Sequence, residues 1–267
     1  MTATYEYGLE LTNNSKTGWA FSLPRSKTCI NATAVCRALC YGNGIRYQSK
    51  TQKAKRERNF KTCEFLLDEG GPDLLAENLL LIIDQARPKD WLAARVKKTE
   101  TAIPWTIRIH DVGDFHSARY VQAWKLAAQQ RPECSFWFYT RSFLTADVFA
   151  ALTDLAALKN CQGWLSLDTE NFEAAILAKC QAPAGIWKLA LLQDDSAEIK
   201  TAIIPALKIG ATTGQVVSFP YHRSGRHSEP VKLNPLTICP AVTGKYPLQT
   251  DQNAPRPCQS CTFCLPG

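Results

Sequence analysis

Short apolar runs alternate with longer amphipathic stretches along most of this chain. Trp19–Leu23, Trp105–His110, Phe136–Thr140, Trp164–Leu167, Ile186–Leu191 and Gln215–Phe219 are rich in aromatic, aliphatic or β-branched residues and are bounded by polar, Gly or Pro positions. That pattern predicts six strands. Between them, apolar residues recur three and four apart at Leu75/Leu79/Ile82, Val121/Trp124/Ala128 and Val148/Leu152/Leu155, which predicts helices with one buried stripe. Ser117 and Thr145 stand where N-caps belong, and Pro72-Asp73 marks another helix start. Two more helices are expected around Phe172–Lys179 and Ala197–Lys208, the latter kinked by Pro205.

The last five strands start 22 to 31 residues apart, as βα units require. The gap from Trp19 to Trp105 is much longer and holds two helices and a cysteine-bearing loop. Six strands are two short of a closed eight-stranded barrel, and an open doubly wound sheet is the competing arrangement. After Phe219 the chain turns proline-rich, irregular and polar, with four cysteines. The expected organisation is one α/β unit over 1–222 with a cysteine-rich, metal-organised tail over 223–267 packed on it.

Composition narrows the function classes. The chain has 267 residues, of which 29 are Pro or Gly, and 45% are apolar, which argues against disorder or a fibrous repeat. No apolar run reaches the length of a membrane span, and the start, MTATYEYGLELTNN, lacks the basic and apolar regions of a signal peptide. A cytoplasmic protein with no membrane partner is expected. Eleven cysteines, an odd number in such a chain, point to metal ligation rather than disulfides.

The cysteines form two groups. Cys258, Cys261 and Cys264 are spaced C-x2-C-x2-C, with Cys239-Pro240 upstream as a fourth ligand. Such spacing suits a 4Fe–4S cluster, with tetrahedral zinc as the alternative. The second group, Cys29-x6-Cys36-x3-Cys40, directly follows the first predicted strand. Three thiolates would leave one iron of a 4Fe–4S cluster open to a substrate or cofactor. Cys63 is a possible fourth ligand of a closed site. Cys134, Cys161 and Cys180 stand apart and read as core thiols.

A strand, a three-cysteine loop and then βα units resemble the layout of radical S-adenosylmethionine enzymes, which implies a partial (β/α)6 barrel and S-adenosylmethionine as a possible cofactor. The spacing departs from that superfamily's C-x3-C-x2-C, and Tyr41 follows the last cysteine instead of preceding it. Local sequence is also similar to a phage and plasmid family called gene product 88, in SLP-x3-TC, the CY-x-NG turn, Arg58-Asn59, RIHDVGDFHS, YTRS and the cysteine-rich end. That second likeness implies one module and no reaction.

By the radical-enzyme resemblance, Gly113-Asp114 would stand where the cofactor's amino group is received, glycine allowing close approach and the carboxylate pairing with an ammonium. His110 shares that segment, and Ser166 and Asp168 end another strand, so all five are candidate cofactor-binding residues. Tyr139–Ser142 and Ser218–Arg223 put polar residues at further strand ends. An enzyme of this kind needs an electron donor.

Residues 46–61 carry seven Lys or Arg against Glu57 alone, most of the chain's +7 excess. Lys53, Lys55, Arg56 and Arg58 are therefore candidate contacts to nucleic acid or a nucleotide-like substrate, with a solvated helix face as the plainer reading. A non-catalytic nucleic-acid-binding protein with structural metal sites is the alternative to an iron–sulfur enzyme.

Overall fold

The computed structural model describes residues 8–97, 103–194, 196–210, 215–220, 222–223, 226–227, 237–240, 245–249, 251 and 254–267. The chain opens with a hairpin of β1 (Thr12–Asn14) and β2 (Gly18–Ala20). Short helices α1 (Arg25–Thr28), α2 (Ala34–Leu39) and α3 (Ile45–Gln48) follow, then α4 (Lys50–Gln85) and α5 (Trp91–Lys97). Strands and helices then alternate: β3 (Thr106–Ile109), α6 (Ala118–Gln130), β4 (Ser135–Thr140), α7 (Ala146–Ala156), β5 (Cys161–Leu167), α8 (Phe172–Gln181), β6 (Trp187–Gln193), α9 (Ile204–Gly210) and β7 (Val216–Pro220). A small hairpin of β8 (His222–Arg223) and β9 (Arg226–His227), strand β10 (Thr237–Ile238) and helix α10 (Pro257–Cys261) complete the described elements.

The main sheet has eight strands in the order β1-β2-β3-β4-β5-β6-β7-β10. Strands β2 to β7 are the six expected from the sequence, and within this sheet every neighbouring pair after β1–β2 is parallel. The order never reverses, so the sheet lacks the switch point of a doubly wound fold. Alternation along the strands separates two faces. Phe136 and Phe138 of β4, Leu165 and Leu167 of β5, and Leu189 and Leu191 of β6 join the large core built with Leu75, Leu79, Val121, Trp124, Val148 and Leu152 of the helices. The opposite face carries Trp164, Ala190 and Val217, and there the tail's Cys239, Phe263 and Cys264 pack, together with Tyr139 and Phe219. Helices cover one face and the cysteine-rich end covers the other.

Three helical details depart from the simple pattern. α4 runs 36 residues but breaks at Gly71, whose φ of 70° and ψ of −163° are non-helical, so Pro72 begins a second helical segment as its missing N–H allows. Before Pro205 the backbone widens into a π-turn, Ile199–Ile203, because Pro205 has no N–H to continue the ladder. Ser117 caps α6 by accepting from Tyr120 N, whereas Thr145 donates its hydroxyl to Asn31 Oδ1 at 3.1 Å and so ties α7 to the cysteine loop.

Candidate functional site

The three N-terminal cysteines follow β2 and lie against the turn after β3. Backbone pairing continues past both strands, with Leu23 N donating to Val112 O at 2.8 Å and Asp111 N to Phe21 O at 2.8 Å. Gly113 then lets the two segments touch. Its φ is 95°, and a Cβ there would stand 2.8 Å from both Leu23 Cβ and Leu23 O and 3.0 Å from Thr28 Oγ1. This glycine serves the docking of the protein's own cysteine loop.

Asp114 is 6% exposed and accepts from three directions. Oδ1 takes Thr140 Oγ1 at 2.8 Å and Phe115 N at 2.8 Å, and Oδ2 takes Arg141 N at 2.7 Å. Burial pushes its pKa up to about 6, while those hydrogen bonds hold it down. The carboxylate therefore fastens the end of β3 to the end of β4, where the sequence suggested an open ammonium receptor.

Asp168, fully buried after β5, accepts Thr33 Oγ1 at 2.6 Å and pairs with Arg141 Nη1 at 2.7 Å. Glu170 reaches the first turn of α2, accepting Ala34 N at 2.8 Å and Val35 N at 3.2 Å. Thr33 itself caps the helix from Cys36 N at 2.9 Å. Three strand ends thus hold the loop bearing Cys29, Cys36 and Cys40.

Those cysteines are within electrostatic reach of one another. Burial raises the Cys29 thiol, and Asp114, Cys36 and Cys40 raise it further. Cys36 is also raised by burial, with Arg141 opposing and Cys40, Asp168 and Asp114 adding. Metal-free, the Cys29 and Cys36 thiols are protonated at neutral pH. Cys63 stands elsewhere, fully buried on α4 in the helix-side core.

The C-terminal group gathers on the open face of the sheet. Cys239 N donates to Ser218 O at 3.0 Å at the end of β10. Cys258 and Cys261 lie on α10, and Thr262, with φ 55°, turns the chain so that Cys264 returns toward the sheet. Tyr139 donates its hydroxyl to Cys264 Sγ at 2.9 Å, and Trp164 Nε1 donates to Cys264 O at 3.2 Å. Burial pushes Cys258 up to about 11 and Cys264 up to about 12, and each also feels Cys239 and Cys261. α10 is seated by Gln259 Nε2 donating to Pro104 O at 3.1 Å and by Cys258 N donating to Lys16 O at 3.0 Å. Among the described residues, no three His, Cys, Asp or Glu side chains converge on a point suited to one metal ion.

Other expected contacts fall elsewhere. His110 is in the helix-side core, its Nε2 2.9 Å from Tyr120 Oη and its ring against Phe115, and burial lowers its pKa. That placement leaves its imidazole packed among core side chains. Ser166 is half-buried on β5, and its carbonyl accepts Asn171 Nδ2 at 3.1 Å. The basic stretch has internal partners as well. Lys55 is buried 3.8 Å from Glu10, Arg58 pairs with the same carboxylate at 2.5 Å, and buried Arg56 donates to Tyr47 O at 2.6 Å. Of those four cations only Lys53 is left exposed without such a role. Their charge was legible in sequence, but their internal partners, one from the segment before β1 and one from α3, were not. Of the Ser218–Arg223 segment, Ser218 is fully buried, Tyr221 lies outside the described residues, and the side chains of His222 and Arg223 are likewise undescribed.

Sequence reasoning also missed Arg108, which alternates with the core residues Ile107 and Ile109 and so projects onto the open face. There it pairs with Asp111 at 3.2 Å and lies over the rings of Trp137, Tyr139 and Tyr41. Strict alternation within RIRI-like strand sequence was the available signal.

The chain matches the family described as "Gene product 88" over residues 3–267. Over 149 residues it is 29% identical to the "Gene 88 protein" of Mycobacterium phage L5, and over 148 residues 28% identical to that of Mycobacterium phage D29. Each match covers 55% of this chain and 55% of the relative, so the chain spans about half the length of these curated relatives. No solved structure matches it. Among the described residues, no helix is long and apolar enough to cross a membrane.

Proposed function

The chain belongs to the gene product 88 family, and we propose that it is an iron–sulfur protein with an open cluster site at Cys29, Cys36 and Cys40 and a closed one at Cys239, Cys258, Cys261 and Cys264. The observation that carries this reading is that the thiols of Cys29, Cys36 and Cys40 lie within electrostatic reach of one another on a loop held by the C-terminal ends of parallel strands. Those ends are where α/β folds build their sites. Sequential parallel strands with helices on one face fit the arc of a partial (β/α)6 barrel, whose lumen would be the face covered by the tail.

The donor sets fit. A cubane binds each thiolate through a different iron, so its ligands need not converge on one point. Deprotonation is assisted by Arg141 beside Cys36, and by Lys16 and Arg108 beside Cys258. A cluster held by Cys29, Cys36 and Cys40 would supply an open coordination position and one-electron reducing power.

Protein groups then act as positioners. Asp114 locks β3 to β4 beneath the loop, Asp168 orients Thr33 and Arg141, and Glu170 caps the helix that presents Cys36. S-adenosylmethionine is the cofactor this layout suggests, and a one-electron donor is the partner it needs. The test is to add S-adenosylmethionine to the dithionite-reduced, reconstituted protein and follow the electron paramagnetic resonance (EPR) signal and 5′-deoxyadenosine. A changed signal that is lost in Cys36→Ala supports the open site with this cofactor. An unchanged signal with no 5′-deoxyadenosine removes the cofactor.

A further inference from the structure

Between the two cysteine groups the open face of the sheet carries an unbroken series of side chains. Tyr41 is covalently next to Cys40, and its hydroxyl accepts Arg108 Nη2 at 3.0 Å. The Arg108 guanidinium lies 5.3 Å from the centre of the Tyr139 ring and 5.0 Å from that of Trp137. Tyr139 in turn donates its hydroxyl to Cys264 Sγ at 2.9 Å.

Arg108 is unusual for a strand interior. Its side chain is 11% exposed, its Nε is buried without a hydrogen-bond partner among the described residues, and three aromatic rings surround it. Asp111 pairs with it and is held by Tyr47 Oη at 2.9 Å and Asn14 Nδ2 at 3.3 Å. Burying a charge is costly unless it is paired, so the surrounding groups are arranged to keep this one in place. A fixed positive charge ringed by aromatic side chains between the two cysteine groups favours passage of an electron from one to the other.

We propose that Tyr41, Arg108 and Tyr139 form an electron path joining the two cysteine sites, which extends the reading that both hold clusters. One electron, supplied by an external one-electron reductant such as dithionite, leaves the C-terminal site and arrives at the N-terminal site. No bond is made or broken and no proton moves, so the C-terminal site is oxidised by one electron and the N-terminal site reduced by one.

The experiment uses the full-length reconstituted protein with iron quantified at both sites. One electron per molecule is delivered by deazaflavin photoreduction, and freeze-quenched EPR spectra follow its movement. Variants lacking one cysteine group supply the reference spectrum of each site. In Arg108→Met and Tyr139→Leu the N-terminal signal is expected to appear at least an order of magnitude more slowly than in the parent. Equal rates at matched iron content overturn the path while leaving the clusters in place. A parent that holds no iron at either site overturns the cluster reading as well.

Tyr139→Phe keeps the ring and removes only the hydroxyl, so it tests the same link without disturbing the fold. Hydrogen bonds to cluster sulfurs help set reduction potentials. Loss of this one lowers the midpoint of the C-terminal site and leaves the N-terminal midpoint unchanged. An unmoved C-terminal midpoint breaks the Tyr139–Cys264 link and overturns the path.

Discussion

Replacing Asp114 by Asn keeps the side chain's shape and changes the hydrogen bonds it can make. The carboxylate accepts from Thr140 Oγ1, Phe115 N and Arg141 N, all within 2.8 Å. With the Asn oxygen at the Oδ1 position, the new amide N–H faces the Arg141 N–H. Flipped, it faces the Phe115 N–H. Either orientation sets donor against donor in a buried site, a loss of about 1–3 kcal/mol. The charge adds a pH signature. The folded carboxyl has a pKa raised from 3.8 to about 6, chiefly by burial. Between those values the folded chain keeps a proton that the unfolded chain has released. Stability from this group is therefore complete below the lower value and is lost as pH rises through the upper one, by up to about 3 kcal/mol.

Urea unfolding of the metal-free, reduced protein, followed by tryptophan fluorescence at pH 7.5 and 4.5, reads both effects. Asp114→Asn is expected to be less stable than the parent at pH 7.5, with a gap that widens at pH 4.5 because only the parent gains on acidification. Equal stability at pH 7.5, or a gap independent of pH, would refute the assignment of Asp114 as the fastener between β3 and β4.

Gly113→Ala should cost roughly 2–4 kcal/mol, from the left-handed φ and the contact with Leu23, and should expose the cysteine loop to limited proteolysis. Glu170→Ala removes the acceptor for Ala34 N and Val35 N, and should cost about 0.5–2 kcal/mol. It should also speed iron loss to a chelator at the N-terminal site alone. Arg56→Ala, which removes a buried guanidinium that donates to the half-buried Tyr47 carbonyl, should destabilise by about 1–3 kcal/mol, while Lys53→Ala should stay within about 0.5 kcal/mol. Thermal melts of the two variants side by side separate the buried cation from the exposed one.

Much of the sheet was legible because its strands alternate or run apolar between breakers, and the six expected strands stand as β2 to β7. β1 was not, since Thr12-Asn13-Asn14 has no apolar signal and is held by pairing with Gly18–Ala20. The strand order was also closed to periodicity, because neighbours are chosen by crossover geometry rather than by pattern. Cysteine spacing marked both groups. What holds the loop was invisible: Glu170 and Asp168 reach Ala34, Val35 and Thr33 from some 135 positions away. The same blindness to distant partners hid the internal contacts of Lys55, Arg56 and Arg58.

Anaerobic purification followed by iron, sulfide and zinc quantification tests the two-cluster claim most directly. The parent should carry about eight irons and eight sulfides per chain with little zinc, as two 4Fe–4S clusters require. Cys29→Ala, Cys36→Ala and Cys40→Ala should each lose about four irons, Cys264→Ala the other four, and Cys63→Ala none. Zinc at either site in place of iron and sulfide, or equal iron loss in Cys63→Ala, would contradict the account.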